Sequence, residues 1–217
     1  MCFSCTTLLH YLIIGAKHFD HDGRKIYFFS LFIRIVHFFV AVSFSLLVIT
    51  GLMIIFGKFL GGGVVVRTVR TARYVHIASA TVFVLPAFLM LVTWFKKMLF
   101  QWHDIKWIFI FGGYLSREKK PVPADKFNAG QKMYFWFATL GGGVMAYSGY
   151  IIWGFGAELD TVRIFTMIHN ILGVALVAFY LTHLYMSVFA IAGSLESMKT
   201  GYKPKAEVDI LHSLYKY

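Results

Sequence analysis

Four of the nine histidines lie inside long apolar runs, and these four are the side chains best placed to do chemistry. His169 and His183 share one run, residues 164–189, fourteen positions apart. Fourteen residues is close to four turns at ~3.6 residues per turn, so both imidazoles leave the same helix face. At ~1.5 Å of rise per residue they stand about 21 Å apart along the axis, one near each side of an ~30 Å hydrocarbon slab. His37 and His76 sit on two further runs. Ionisable side chains at membrane depth are costly, so they are read first as functional.

The elements that position them follow from composition. Of 217 residues, 59% are hydrophobic and 14% charged, and the mean hydropathy is +0.69. That excludes an ordinary soluble domain, which would lack polar surface to cover such a core. The apolar runs predict an all-α, integral membrane four-helix bundle with spans at about 27–56, 74–95, 128–153 and 164–189. Pro86 falls midway along the second span, where it predicts a kink. Residues 1–26 read as an N-terminal cytoplasmic extension, 27–193 as the transmembrane domain and 194–217 as a cytoplasmic C-terminal tail.

Residues 96–126 form the longest polar connection. Its D-I-K-W-I-F-I-F stretch, starting at Asp104, is expected along the membrane surface with Trp102 and Trp107 at the interface. Gly61–Gly63 mark a loop before Arg67, Arg70 and Arg73.

The net charge is +11, but Lys and Arg flank the apolar runs, so they are topology signals facing membrane lipid rather than a nucleic-acid surface. One face collects sixteen basic residues and the other five. The positive-inside rule then places both termini and the long middle connection in the cytoplasm.

Cys2 and Cys5 make a lone C-x-x-C without metal-binding partners. The stretch L-L-H-Y-L-I-I-G-A lacks the preceding positive charge of a cleaved signal. His10, His18 and His21 beside Asp20 and Asp22 fit a solvated tail better than a surface metal site.

With this orientation the first span runs outward and the second and fourth run inward. His76 and His169 then fall in the outer half, and His37 and His183 in the inner half. Nothing in the histidine count required that agreement in depth. Two such pairs point to two haems ligated by histidine on both faces. No C-x-x-C-H occurs, so the haems would be non-covalent b-type. Arg34 and Arg73 each precede a histidine by three residues, on the same helix face, where a guanidinium suits a haem propionate. Gly51, Gly149 and Gly173 would let a flat macrocycle approach the backbone. The bland alternative makes the histidines interhelical hydrogen-bonding groups or a proton relay.

With these residues placed, the chain resembles the membrane cytochrome b subunit of respiratory formate dehydrogenases from about Arg34 to Tyr202. The resemblance rests on R-x-x-H at Arg34, R-Y-V-H at Arg73 and D-I-K-W at Asp104. It rests also on K-F-N-A-G-Q-K-M-Y-F-W at Lys126 and on the H-x13-H helix ending in H-L-Y-M. N-A-G-Q-K-M is the most specific of these strings, and the N-terminal extension departs from the family pattern.

The resemblance implies two haem b groups, the outer on His76 and His169 and the inner on His37 and His183. It implies a quinone site, for menaquinone or another quinone, at Asn128, Ala129, Gly130 and Gln131, with His183 close by. It further implies an iron–sulfur (beta) subunit as electron donor and, behind it, a molybdenum or tungsten catalytic subunit, in a complex that can form higher oligomers. Asn128 and Gln131 also have the spacing of a helix capping box, the ordinary structural reading of that stretch.

The cytochrome b subunit of a membrane [NiFe] hydrogenase or related molybdenum oxidoreductase shares this plan. A quinol-oxidising cytochrome b would draw its ligands from two helices rather than three. A transporter or proton channel would need intramembrane acids that the spans lack.

Overall fold

The computed structural model describes residues 3–57, 63–154 and 156–217. Cys2 of the C-x-x-C, and Gly61 and Gly62 of the glycine loop, lie outside the described residues. In chain order the elements are α1 (Phe3–Ile14), β1 (Lys25–Tyr27), α2 (Leu31–Phe56), α3 (Gly63–Trp94) and α4 (Trp102–Phe109). They continue with α5 (Ala129–Ile152), α6 (Leu159–Tyr185), α7 (Glu196–Thr200), β2 (Tyr202–Pro204) and α8 (Lys205–Leu211).

Among the described residues, three stretches are long and apolar enough to cross a membrane: Leu31–Phe56, Arg67–Met98 and Leu159–Ala190. Helix α5, expected as the third span, is 24 residues long. The polar Gln131 and Lys132 open it, and Gly141–Gly143 lie within its unbroken length. Helix α3 begins three turns before the expected span, so Arg67, Arg70 and Arg73 are helical. Pro86 lies inside α3 without ending it.

The described residues fall into two compact units. One comprises Phe32–Trp94 and Gly143–Gly173, and its polarity is inverted. Ser43, Thr50, Ser79 and Ser148 are buried, while Phe38, Leu85 and Ile171 are 61–67% exposed. Large apolar side chains so widely exposed suit a lipid solvent. The buried hydroxyls donate to carbonyls of their own helix, Ser43 to Phe39 and Thr50 to Leu46, each at 2.6 Å. Such back-bonding satisfies a hydroxyl that has no water.

The other unit comprises Met1–Leu31, Phe95–Gly142 and Val174–Tyr217. Its core clusters Phe19, Trp107, Val122, Ala124, Ala129, Ile191 and Leu211. The terminal segments, read from sequence as polar ends, are built into it. Strand β1 pairs antiparallel with β2, Ile26 opposite Lys203. The Lys17 N–H donates to the Ala190 carbonyl at 2.9 Å, and the Val122 N–H to the Ile210 carbonyl at 2.7 Å. His10, expected on a solvated tail, bonds the Tyr185 hydroxyl through Nδ1 at 2.6 Å and the Tyr114 carbonyl through Nε2 at 2.9 Å. Lys203 and Glu207 form a buried pair one turn apart.

His212 is 3% exposed, and its Nδ1 donates to the Asp125 carbonyl at 2.8 Å. Burial, reinforced by the nearby Lys203 charge, pushes this imidazole down to about 3. The folded chain therefore holds His212 neutral where the unfolded chain, titrating near 6.5, binds a proton. Its stabilising effect is complete above pH 6.5 and is lost as pH falls toward 3, by at most about 1.4 kcal/mol per pH unit. In thermal unfolding of detergent-solubilised protein, His212→Gln is expected to flatten the loss of Tm between pH 6.5 and 4.5. An unchanged slope in the variant refutes the assignment.

Candidate functional site

Within the first-described unit, two histidines meet. His76, thirteen residues into α3, and His169, ten residues into α6, have ring centroids 6.4 Å apart and planes inclined by 63°. Each ring is held from behind in the same way. Thr50 Oγ1 lies 2.8 Å from His76 Nδ1, and Ser148 Oγ lies 2.8 Å from His169 Nδ1. Each hydroxyl also contacts a carbonyl one turn back in its own helix, Leu46 for Thr50 at 2.6 Å and Val144 for Ser148 at 2.7 Å.

A glycine follows each hydroxyl. A methyl at Gly51 would lie 3.4 Å from His76 Cε1, and one at Gly149 would lie 3.5 Å from His169 Cε1. A methyl there would touch the ring and anything larger would crowd it. Gly173 instead faces Met145, whose Cε would be 3.5 Å from an added methyl.

This pair suits a shared metal atom. Imidazole–metal bonds of about 2 Å from each side would place the ring centroids roughly 6 Å apart. Imidazole nitrogens are donors that haem iron accepts, so His76 and His169 would hold a haem. His37 is half-buried on α2, one turn beyond Arg34. Arg73 is exposed on α3, one turn before His76.

In the other unit, His183 occupies the last turn of α6, just before a π-helical turn at Met186–Ala190. Its ring stacks on Tyr134, with centroids 4.6 Å apart and planes 4° apart. Tyr134 follows Gln131 by three residues on α5, so the two share a helix face.

Asn128 and Gln131 form a reciprocal capping box. The Gln131 N–H donates to Asn128 Oδ1 at 2.9 Å, and the Asn128 N–H donates to Gln131 Oε1 at 3.0 Å. Both amide oxygens are thereby occupied, which orients the amides and directs the Gln131 NH2 away from the cap. Capping and ligand contact are thus compatible. Asn128 and Ala129 are buried and Gln131 is exposed. Gly130 answers to packing: a methyl there would lie 2.8 Å from Trp107 Cη2.

Trp107 is consequently buried, at 8% exposure, rather than at a membrane interface as its sequence context predicts. Trp102 is 89% exposed. The lysine after Gln131 closes the arrangement. Lys132 Nζ donates to Asp104 Oδ2 at 2.6 Å, with the two side chains 2% and 1% exposed. Asp104 Oδ2 also accepts the Gln101 N–H at 2.7 Å, capping α4. The strings D-I-K-W and N-A-G-Q-K-M therefore interlock through Asp104–Lys132 and Trp107–Gly130.

Sequence reasoning missed Thr50, Ser148, Tyr134, Asp104 and Lys132. The one available signal was the repeated hydroxyl–glycine dipeptide, Thr50-Gly51 and Ser148-Gly149, on spans opposite histidines.

Apolar helices carrying facing imidazoles define a multi-pass membrane protein of the cytochrome b class. Comparison with known proteins places it further: residues 28–201 match the prokaryotic cytochrome b561 family, and the chain belongs to that family. It is 28% identical over 173 residues to the nitrate-inducible formate dehydrogenase cytochrome b556(Fdn) subunit of Escherichia coli K12, covering 77% of this chain and 79% of that one. It is 25% identical over 177 residues to the cytochrome b556(fdo) subunit of formate dehydrogenase from the same organism, covering 80% and 83%. The formate dehydrogenase cytochrome b556 subunit of Haemophilus influenzae is 26% identical over 178 residues, covering 78% and 73%. The resemblance read from the motifs is borne out.

Lys132→Ala leaves Asp104 charged and buried, at a cost of about 3–5 kcal/mol. The double variant Asp104→Leu/Lys132→Met is expected to unfold at a higher temperature than Lys132→Ala, measured by thermal denaturation in detergent. Equal losses from both variants would show that the pair is not coupled.

Proposed function

We propose that this chain is the membrane-anchoring cytochrome b subunit of a respiratory formate dehydrogenase, binding two b haems and serving electron transfer to quinone. The observation that carries the reading is the His76–His169 pair, with both Nδ1 atoms bonded from behind and the rings spaced for one metal atom. The relatives of similar length, named as formate dehydrogenase cytochrome b556 subunits, favour this donor over a hydrogenase.

In this reading α5 is the third of four spans, both termini are cytoplasmic, and His76 with His169 holds the outer haem. His37 with His183 holds the inner one. Haem bound at these sites supplies one-electron transfer across a slab that water-borne carriers do not enter. Arg34 and Arg73 pair with propionates at the headgroup edge. An iron–sulfur subunit docks outside and links the chain to a molybdenum or tungsten catalytic subunit.

Asn128, Ala129, Gly130 and Gln131 form the quinone site with His183. The capping box holds the Gln131 amide so that its N–H can donate to a quinone oxygen, and Tyr134 stands on the same helix face beside His183. Gly130 serves that site indirectly, by admitting Trp107.

A reduced-minus-oxidised spectrum with a pyridine haemochrome count tests the haem sites. Wild type is expected to carry two b haems per chain, and His169→Ala and His37→Ala one each. Folded wild-type protein without haem refutes the reading. For the quinone site, Gln131→Ala is expected to lower quinone reduction by the assembled complex about 10-fold, the loss of roughly one hydrogen bond to the reacting group. Its haem content should be unchanged. Full activity in that variant would leave residues 128–131 as a cap alone.

A further inference from the structure

We propose that Thr50 and Ser148 are positioning residues that fix the tautomer of His76 and His169 and set the electron-donating strength of both imidazoles. The inference rests on the haem reading above and extends it to residues outside the ligand set.

The argument begins with the single proton of a hydroxyl. Thr50 Oγ1 lies 2.6 Å from the Leu46 carbonyl and 2.8 Å from His76 Nδ1. The carbonyl can only accept, so the hydroxyl proton goes to it. The hydroxyl oxygen then faces Nδ1 with lone pairs alone, and Nδ1 must be the donor. Ser148 repeats the arrangement, with the Val144 carbonyl at 2.7 Å and His169 Nδ1 at 2.8 Å. A neutral imidazole with its proton on Nδ1 carries its free lone pair on Nε2. Both rings thus present the nitrogen that an iron atom needs.

Chance does not readily produce this twice. The two hydroxyls come from different helices, α2 and α5, and the two histidines from α3 and α6. Each hydroxyl is buried, Thr50 at 5% and Ser148 at 0% exposure, so water does not compete for Nδ1. Each is followed by the glycine that the ring approaches. Donation from Nδ1 pushes electron density toward Nε2 and strengthens it as a ligand to ferric iron. Removing the acceptor therefore raises the reduction potential of the haem held by that ring.

The test is a potentiometric titration of both haems, with low-temperature EPR of the ferric state, on the intact complex. It compares wild type with Thr50→Val, Thr50→Ser, Ser148→Ala and Ser148→Thr. Thr50→Val and Ser148→Ala are expected to move one haem to higher potential and leave the other in place, with a change in that haem's ferric EPR signal. Thr50→Ser and Ser148→Thr keep a hydroxyl and are expected to match wild type. Loss of one haem in Thr50→Val, with retention in Thr50→Ser, also supports the proposal. Unchanged potentials and spectra in Thr50→Val and Ser148→Ala overturn it. Equal shifts or equal haem loss in Thr50→Val and Thr50→Ser overturn it as well, since shape rather than the hydroxyl would then be at work. Absence of haem from folded wild type is a different failure and removes the cytochrome reading itself.

Discussion

Asp104 and Lys132 meet almost entirely out of contact with water, and that single ion pair constrains the unit around it. A carboxylate left alone at such burial would be costly, so α4 and the start of α5 must remain in contact. With that contact made, Trp107 lies over Gly130, and a side chain larger than hydrogen at position 130 would collide with the indole. The capping box of Asn128 and Gln131 then begins α5 on the residue where the lysine can reach back. Two strings of sequence with separate motifs are one structural object.

The other unit obeys a related constraint in a different solvent. Its exterior is Phe, Leu and Ile, so its polar atoms must find partners inside. Ser43, Thr50 and Ser148 do so on their own helices, and the last two use their remaining lone pairs for histidine. Polar groups held in this way need little rearrangement when a charge appears beside them, which suits a site that changes charge by one electron.

Much of this was legible from residues alone, where one period or one length carries the signal. The apolar runs located α2, α3 and α6, and the fourteen-residue step placed His169 and His183 on one face. Depth reasoning paired His76 with His169, and these rings do meet. Contacts between distant positions were not legible. Asp104 and Lys132 are 28 residues apart on different elements, and no periodicity links them. Trp107 looked interfacial because amphipathic rings favour headgroups, yet two glycines, Gly112 and Gly130, make room for it indoors. The terminal segments looked solvated because they are polar, but Lys203–Glu207 and the β1–β2 ladder give that polarity internal partners. The first turns of α3 were hidden because three arginines in a row of turns depress hydropathy without opposing helix.

The paired dipeptides Thr50-Gly51 and Ser148-Gly149 have a consequence for protein engineering. Each is a compact cassette: a hydroxyl that bonds back to its own backbone, a neighbour with no side chain, and a facing imidazole. Its hydroxyl and glycine are adjacent in sequence, and a second helix supplies the imidazole, 26 residues beyond Thr50 and 21 beyond Ser148. Grafted onto two facing helix pairs of an idealised bundle, two such cassettes would preset both imidazoles before any metal arrives. Designed redox bundles that leave the distal ring nitrogen to solvent forgo that preparation.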